Sequence, residues 1–349
     1  MTSPRLSVVV PVHNGGQTLT DCLAGLRQSS LPPLEIIVVD DASADDSTDM
    51  ARRAGVRVVS TRNGAKPRRP CGPARARNLG AKIATGDILV FVDADVMVHA
   101  DTLARIARQF EENPEIAALF GSYDDEPTAS GLVSRYKNLQ HHYVHQNSTR
   151  VATTFWAGCG AIRREAFAAV GGFSSAFARS SIEDIELGAR LTAAGRRIVL
   201  CPEILCTHVK QWTLMTWLKT DLFARAIPWT RLLLTNRTRT RELNLGLSSR
   251  CSAVLSWILL GGIIGAPVFS IPTRIVFPAG CVLTAINAGF LHLLYRRGGP
   301  KLLMVGWFLQ WFYYVYSSLI FGLGLIAARQ GSLKKMRVTE PRQRDYWND

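Results

Sequence analysis

Acidic side chains are scarce in this chain. Among 349 residues, 27 Asp and Glu stand against 41 Lys and Arg, a formal net charge of +14. That excess calls for an anionic partner, and nucleic acid, anionic lipid and nucleotide phosphates would each meet it. No RNA- or DNA-reading motif stands out and the last third is strongly apolar, so lipid and phosphate are favoured and nucleic acid is not expected as a partner. Cysteine is sparse and poorly spaced for cross-linking. The seven, at Cys22, Cys71, Cys159, Cys201, Cys206, Cys251 and Cys281, are odd in number and form no Cys-x-x-Cys pair. This argues against a disulfide framework or a zinc site and for a reducing compartment. A signal peptide is not expected either, because Met1-Thr-Ser-Pro-Arg runs straight into a strand.

What is present alternates. Short apolar runs predict strands at Leu6–Val12, Glu35–Asp41, Arg57–Thr61 and Ile88–Asp93. Helical patterns lie between and after them, at Gln17–Gln28, Ser47–Ala54, Pro73–Ala84 with Pro at its start, and Ala100–Asn113. Such alternation means an α/β fold, a mostly parallel sheet with helices on both faces. Further on, Ser181–Ala194 reads as a helix and Arg197–Cys201 as a strand. The Tyr123–Arg150 stretch is polar and rich in His and Tyr, and Thr154–Gly172 is rich in Gly and aromatics.

The solvent then changes. Thr213–Leu234 mixes Trp, Leu, Phe, Lys and Arg, the composition of a helix lying in a membrane interface, with a core helix as the alternative. Asn236–Arg250 is polar and carries Arg237, Arg239, Arg241 and Arg250. Cys251–Ile271, Ile275–Tyr295 and Leu302–Ala328 are each long enough to cross a bilayer, which takes about 20 apolar residues. The expected organisation is a catalytic domain over 1–211, an interfacial segment over 212–250, about three transmembrane helices over 251–328 and a basic tail over 329–349. Three crossings from a cytoplasmic N-terminal domain would put Lys334, Lys335, Arg337, Arg342 and Arg344 outside, against the positive-inside tendency. Pro267, Pro272 and Pro278 offer a re-entrant segment instead.

The most informative stretch is Ile88–Asp95, five apolar residues followed by Asp93-Ala94-Asp95. Ligands of open α/β sheets bind at the carboxyl ends of strands. Two charges at the end of a buried strand need neutralising, and a divalent cation bridging to a phosphate does so, Mg²⁺ or Mn²⁺ by the oxygen chemistry. A solvated turn is the plainer reading. Asp40 and Asp41 end the second strand, where a carboxylate can bind a nucleotide's ribose or base edge, or Asp41, Ser43 and Asp46 cap a helix. Arg62, Lys66, Arg68, Arg69, Arg75 and Arg77 form a basic stretch. Lys66, Arg68 and Arg69 read as a solvated loop, while Arg77 and Asn78 sit within a helix and suit a pyrophosphate. Glu183-Asp184 opens a helix, where acids complement the dipole or one acts as a base. His208 reads as a metal or phosphate ligand, or as a structural histidine. His141, His142 and His145 make no His-Glu-x-x-His motif and read as surface or acceptor-cleft residues.

Taken in order, Pro11-Val12-His13-Asn14, Val38–Ser43, Ala76-Arg77-Asn78-Leu79-Gly80, Phe91–Asp95, Gly158–Arg164, Val170–Phe173, Glu183–Leu187 and His208 resemble the family-2 glycosyltransferases with their GT-A (Rossmann-like) fold. The resemblance runs from Leu6 to His208. It implies that Asp41, with Asp40 beside it, contacts the nucleobase in a pocket lined by Pro11 and His13. It implies that Asp93 contacts the nucleotide sugar, that Asp95 binds the metal on the diphosphate with His208 as a further ligand, and that Asp184 is the general base. Arg77 and Asn78 fall on the nucleotide side. Trp156, Gly158, Cys159, Gly160, Glu183 and Trp229 fall on the acceptor side, where small residues would let a sugar approach the backbone. The implied reaction is inverting transfer from a nucleotide-diphosphate sugar to a lipid or lipid-linked acceptor, with Mg²⁺ or Mn²⁺. It would occur at the cytoplasmic face of the cell inner membrane, by a multi-pass protein. The Gln-x-x-Arg-Trp motif of processive synthases is matched cleanly only by Trp229, in Arg225-Ala226-Ile227-Pro228-Trp229. A polysaccharide synthase is therefore the runner-up. A sugar nucleotidyltransferase and a non-catalytic sugar-nucleotide sensor are the alternatives of other classes.

Overall fold

The structure, a computed structural model, describes residues 3–62, 69–177, 179–236, 246–269 and 273–331. Lys66, Arg68, Arg237, Arg239, Arg241, Pro272 and the basic tail lie outside the described residues, as does the side chain of Pro267. The chain divides into two compact units, Met1–Asp124 with Ser148–Lys210, and Asp125–Asn147 with Gln211–Met336.

In chain order the elements are β1 (Leu6–Val12), α1 (Gly16–Arg27), β2 (Glu35–Asp40), α2 (Ser47–Arg53), β3 (Arg57–Ser60), α3 (Pro73–Ile83), β4 (Ile88–Val92), β5 (Val96–Val98), α4 (Thr102–Glu112) and β6 (Ile116–Tyr123). Then come α5 (Leu132–Gln146), β7 (Val151–Ala152), β8 (Cys159–Arg163), α6 (Arg164–Ala169), α7 (Glu183–Ala193) and β9 (Arg197–His208). The remainder is helical: α8 (Leu214–Lys219), a π-helical stretch Thr220–Ala226, α9 (Ile227–Asn236), α10 (Leu247–Phe269), α11 (Thr273–Ile286) and α12 (Ala288–Arg329).

The first unit is built on a nine-stranded sheet in the order β3-β2-β1-β4-β8-β6-β9-β5, with β7 beside β9. Strands β3, β2, β1 and β4 are mutually parallel, as expected. Beyond them the sheet is mixed. Strand β8 runs antiparallel to β4 and β6, β6 and β9 are parallel, and β5 and β7 oppose β9. The strands β6 and β8 escape the sequence reading because Ala117, Ala118, Gly121 and Gly160 dilute their β-branched content. Strand β9 continues past Cys201 to His208 across a register shift, so His208 ends the strand rather than following it.

Every residue of β1 is buried because both sheet faces are covered. Val8, Val10 and Val12 pack on one side with α1 and α4, through Leu19, Leu23, Leu26, Leu103, Ile106 and Phe110. Val9 points the other way, with Ala74, Ala76 and Ala81 of α3 and Leu187 and Leu191 of α7. Gly80 is what lets α3 lie so close. A Cβ there would come within 2.4 Å of a Val9 methyl and 3.0 Å of a Val39 methyl.

In the second unit the polar Tyr123–Arg150 stretch supplies α5, whose Tyr136, Leu139 and His145 are buried. Of the three histidines expected on a surface or cleft, His145 is thus an interior residue, its Nε2 lying 3.1 Å from that of His141. Lys137 pairs with Asp221 at 3.1 Å, and Tyr316 donates to the same carboxylate at 2.8 Å. The Thr213–Leu234 run has two apolar sides. Trp217 is buried, while Leu214, Met215 and Phe223 are exposed, Phe223 at 69%.

Among the described residues, two helices are long and apolar enough to cross a membrane, Leu247–Gly265 and Ala288–Arg329, and Arg274–Ile286 is a shorter apolar helix. The region breaks at Asn287 and again at Gly299, within the expected Arg296–Lys301 break. Asn287 donates to Ser252 at 3.1 Å and accepts from Tyr314 at 2.8 Å. Its amide therefore ties α10, the start of α12 and the later part of α12 together. At the Gly299-Pro300 step Gly299 leaves the helical region (φ 67°, ψ −167°), so α12 is two helices meeting at a kink there.

Replacing Gly80 by Ala should destabilise the protein by about 1–3 kcal/mol, because stiff valines must give way. Thermal or denaturant unfolding of the full chain checks this, and an unchanged midpoint would refute the close packing of α3.

Candidate active site

The carboxyl ends of β1, β2 and β4 fall on one edge of the sheet, and the antiparallel entry to β8 arrives at the same edge. The Asp93 N–H donates to the Gly158 carbonyl at 3.2 Å. Strands β6 and β9 bring Tyr123 and His208 to this edge as well. Short β5 pairs Val96 with His208, and the Val209 N–H donates to the Asp95 carbonyl at 3.0 Å.

Arg77 is the hub. It sits in α3, whose first turn is set by Asp41: one carboxylate oxygen accepts from Cys71 N–H at 2.8 Å, the other from Gly72 N–H at 2.7 Å. The Arg77 guanidinium is 5% exposed and donates to Asp93 at 2.7 Å and to Glu183 at 2.9 Å. It lies 5.3 Å from the Phe173 ring centre, and its buried Nε has no hydrogen-bond partner. Burial alone would lower its pKa, but the charges of Asp93, Glu183 and Asp184 raise it, so it stays cationic.

Asp184 opens α7 beside Glu183. Its carboxylate accepts from Ala157 N–H at 3.2 Å and Ile185 N–H at 2.8 Å. Gly188 lets α7 approach this closely, since a Cβ there would meet the Phe155 nitrogen at 2.4 Å. Burial, and next the charge of Glu183, push the Asp184 carboxyl up to about 7 against the pull of Arg77.

Asp93 and Asp95 are shifted in opposite directions. Burial raises Asp93, with Asp95 adding to the effect and Arg77 opposing it. Asp95 is also disfavoured by burial, but His208 and Lys210 more than offset this and hold it below the usual carboxylate range. His208 Nε2 stands 3.7 Å from Asp95 Oδ2, and Lys210 Nζ 3.3 Å from it. The His208 ring stacks on Tyr123 at 4.5 Å and 11°, and Trp156 meets the other part of Tyr123 edge-on at 4.8 Å. Among the described residues no group of three or more His, Cys, Asp or Glu is arranged around a common ion position. The Asp95 oxygen and His208 nitrogen are nonetheless a donor pair that suits Mn²⁺ or Mg²⁺ when phosphate oxygens and water complete the shell.

The residues expected around a nucleobase gather at the ends of β1 and β2. Pro11 is buried within β1, opposite Val39, and the exposed His13 ring pairs through Nδ1 with the Asp41 carbonyl at 2.8 Å. Asp40 accepts from Ser43 N–H at 3.0 Å. Asp41 takes a third bond, from Thr61 at 2.9 Å, so three of its roughly four acceptor positions serve the chain's own loops. Ala42 between them holds φ 63°, a strained conformation for alanine of the kind that collects at functional sites.

Several expected contacts serve the interior instead. Asn78 is occupied at both ends by the Phe173 backbone, donating to its carbonyl at 2.8 Å and accepting from its N–H at 2.9 Å. Glu183, expected on the acceptor side, is 3% exposed and held by Arg77 and by Ser181 N–H at 2.8 Å. Gly158, Cys159 and Gly160 are buried. A Cβ on Gly158 would meet the Trp156 indole at 2.5 Å, and one on Gly160 would meet the Trp156 carbonyl oxygen at 2.3 Å and the Phe155 ring at 2.6 Å, so the small residues admit close packing by these two aromatics. Trp156 is half-buried at this edge, whereas Trp229 belongs to α9 of the second unit. Arg69 and Arg75 are exposed, in keeping with a solvated basic surface.

Lys210 and Tyr123 stand beside Asp95 and His208 and are missed by the sequence reading, which gives Phe173 no role. Lys210 carried a signal: it lies two residues past His208, and strand alternation puts i and i+2 on one face. Tyr123 carried none, since its partners are remote in sequence, and Phe173 is marked only as the end of the Val170–Phe173 motif.

Residues 7–171 match the model for "Glycosyl transferase family 2", and residues 137–211 match "N-terminal domain of galactosyltransferase". The glycosyltransferase GlyG of Streptococcus pneumoniae is 29% identical over 149 residues, 41% of this chain and 47% of that protein. The chain thus spans less than half the length of that curated relative. Among solved structures, S. aureus TarS residues 1–349 in complex with UDP-GlcNAc superposes with a TM-score of 0.51 at 16% identity, covering 94% of this chain and 92% of that one. GalNAc-T7 with UDP, GalNAc and Mn²⁺ gives a TM-score of 0.50 at 16% identity, over 73% of this chain and 51% of that one. With the strand-end carboxylates, the mixed sheet and the family match all falling on one stretch, residues 7–171 match the family-2 glycosyltransferases and the chain has the GT-A fold.

Proposed function

We propose that this protein transfers a sugar from a nucleotide-diphosphate donor to a hydroxyl of a lipid or lipid-linked acceptor at the cytoplasmic membrane face, with inversion at the anomeric carbon. The observation that carries the reading is the Asp93–Arg77–Glu183 bridge, which joins the strand-end carboxylate to the helix turn that bears Asp184. Asp184 is the proton acceptor. Its carboxyl, raised to about 7, is basic enough to take a hydroxyl proton and is ionised in a large fraction of molecules near neutral pH. Attack from the Asp184 side on the face opposite the leaving diphosphate needs no covalent intermediate. Asp93 orients the nucleotide sugar. Asp95 and His208 would hold a divalent ion on the diphosphate, and that ion would supply Lewis-acid stabilisation of the departing charge. Lys210, half-exposed beside Asp95, adds a mobile positive charge on the same side. Exposed Leu214, Met215 and Phe223 and the two long apolar helices favour a membrane-bound acceptor. The single clean match to the processive motif, Trp229, favours one transfer per acceptor over a polymer.

A panel of UDP-, GDP- and dTDP-sugars offered to the full-length protein in lipid, with nucleoside diphosphate release and product mass as readouts, tests the reading. Release of one nucleoside diphosphate per sugar gained by the acceptor is expected; pyrophosphate release would point to a nucleotidyltransferase, and a product ladder to a synthase. Asp184→Asn should lower kcat by about 10²–10⁴-fold. In the unmodified protein kcat should climb as pH rises through about 7, because the carboxyl must be deprotonated to act. A flat profile across that range would remove Asp184 as the base. Chelation should stop turnover, and Asp95→Asn or His208→Ala should raise the Mn²⁺ concentration needed to restore it. Turnover that persists in excess chelator would refute the metal role.

A further inference from the structure

Arg77 reads from sequence as a pyrophosphate contact and Glu183 as an acceptor contact, yet neither side chain faces outward. The guanidinium is 5% exposed and the Glu183 side chain 4%. We propose that Arg77 and Glu183 are a buried positioning pair that sets the distance and orientation between Asp93 and Asp184, aligning the donor-side carboxylate with the proton acceptor. The inference rests on the reading of Asp184 as the base.

Four observations support it. First, the two Nη atoms of Arg77 are divided between elements that are far apart in sequence, the end of β4 and the first turn of α7. A rigid guanidinium fork that spans two carboxylates fixes both at once, which a flexible ammonium cannot do. Second, the surroundings are braced. Asn78, next to Arg77, locks the Phe173 backbone under the guanidinium, while Arg190 of α7 donates to the Val170 and Gly172 carbonyls at 2.5 and 2.7 Å and to Glu186 at 2.7 Å. The Val170–Phe173 loop is thus held from α3 and α7 together. Third, a buried ion pair gives weak stability for its cost, since apolar residues of similar volume do as well. Fourth, Arg77 offsets the negative charge around Asp184, while Glu183 adds to it, so the pair also holds the Asp184 carboxyl near its raised value.

Steady-state kinetics of the full-length protein in lipid test the pair, with the most active donor of the panel and with Arg77→Lys, Glu183→Ala, Glu183→Gln and Asp184→Asn. Arg77→Lys and Glu183→Ala should each lower kcat by about 100-fold, the scale of a 1 Å misplacement. Their donor KM should stay within about threefold, as expected when orientation rather than binding is lost. Glu183→Gln keeps one acceptor oxygen for Arg77 but loses the one that accepts from Ser181 N–H, so it should recover part of kcat relative to Glu183→Ala while moving the acidic limb of the pH profile to lower pH. A rise in donor KM at unchanged kcat would make Arg77 a direct donor contact and overturn the proposal. So would losses that merely follow the folded fraction measured by thermal unfolding, with the pH limb unmoved in Glu183→Gln. An inactive Asp184→Asn beside a fully active Glu183→Ala defeats the positioning pair alone. Retained turnover in Asp184→Asn defeats the base assignment and the pair with it.

Discussion

One buried guanidinium organises the sheet edge that carries Asp93 and faces Asp184. Arg77 is the cation among Asp93, at a strand end, and Glu183 and Asp184, in the first turn of α7, carboxylates that would otherwise repel one another. Burying charge is tolerable only when it is paired and hydrogen-bonded. The pairing in turn demands that α3 lie close on the sheet, which Gly80 permits, and that its first turn be anchored, which Asp41 does through Cys71 and Gly72. Helix α7 is brought in by the missing Cβ of Gly188. The chemistry assigned to Asp184 therefore depends on packing decisions made at glycines well away from it.

The two aspartates of Asp93-Ala94-Asp95 show how neighbours, not sequence position, set charge state. Asp93 is half-buried among a crowded set of carboxylates and is raised, despite its bond to Arg77. Asp95 turns toward His208 and Lys210 and is lowered. That divergence suits two tasks. On the proposed reading, Asp95, held in its ionised form more strongly than an ordinary carboxylate, would share a cation with a diphosphate, while Asp93 would hydrogen-bond a neutral sugar. The Trp156–Tyr123–His208 stack fixes the imidazole's plane, so the donor pair is oriented before any ligand arrives.

The second unit solves a different problem. Its long helices are apolar enough to suit lipid, yet its interior carries Lys137, Asp221 and Tyr316 in mutual contact and an Asn287–Ser252–Tyr314 set at a helix break. In an apolar setting every such group must find a partner within the protein. Polar cross-links of this kind pin helices in one arrangement where apolar packing alone would leave several of similar energy.

The sequence by itself determined the parallel half of the sheet, its two covered faces, the strand ends that carry Asp41, Asp93 and Asp95, and the apolar C-terminal third. These follow from local periodicity, which needs no knowledge of distant residues. It also marked Asp184 and His208 as chemically interesting through their collinear motifs. Only the tertiary structure decided which of the marked residues face inward. Asn78 bonds Phe173 and Arg77 bonds Glu183 across separations of 95 and 106 residues. Gly158 and Gly160 are packed against Trp156 and Phe155. Strand β8, which turns the sheet mixed, and Tyr123, which supports His208, also depend on partners remote in the chain. A side chain's role is set by what stands opposite it, and sequence spacing says nothing of that until the strands are paired.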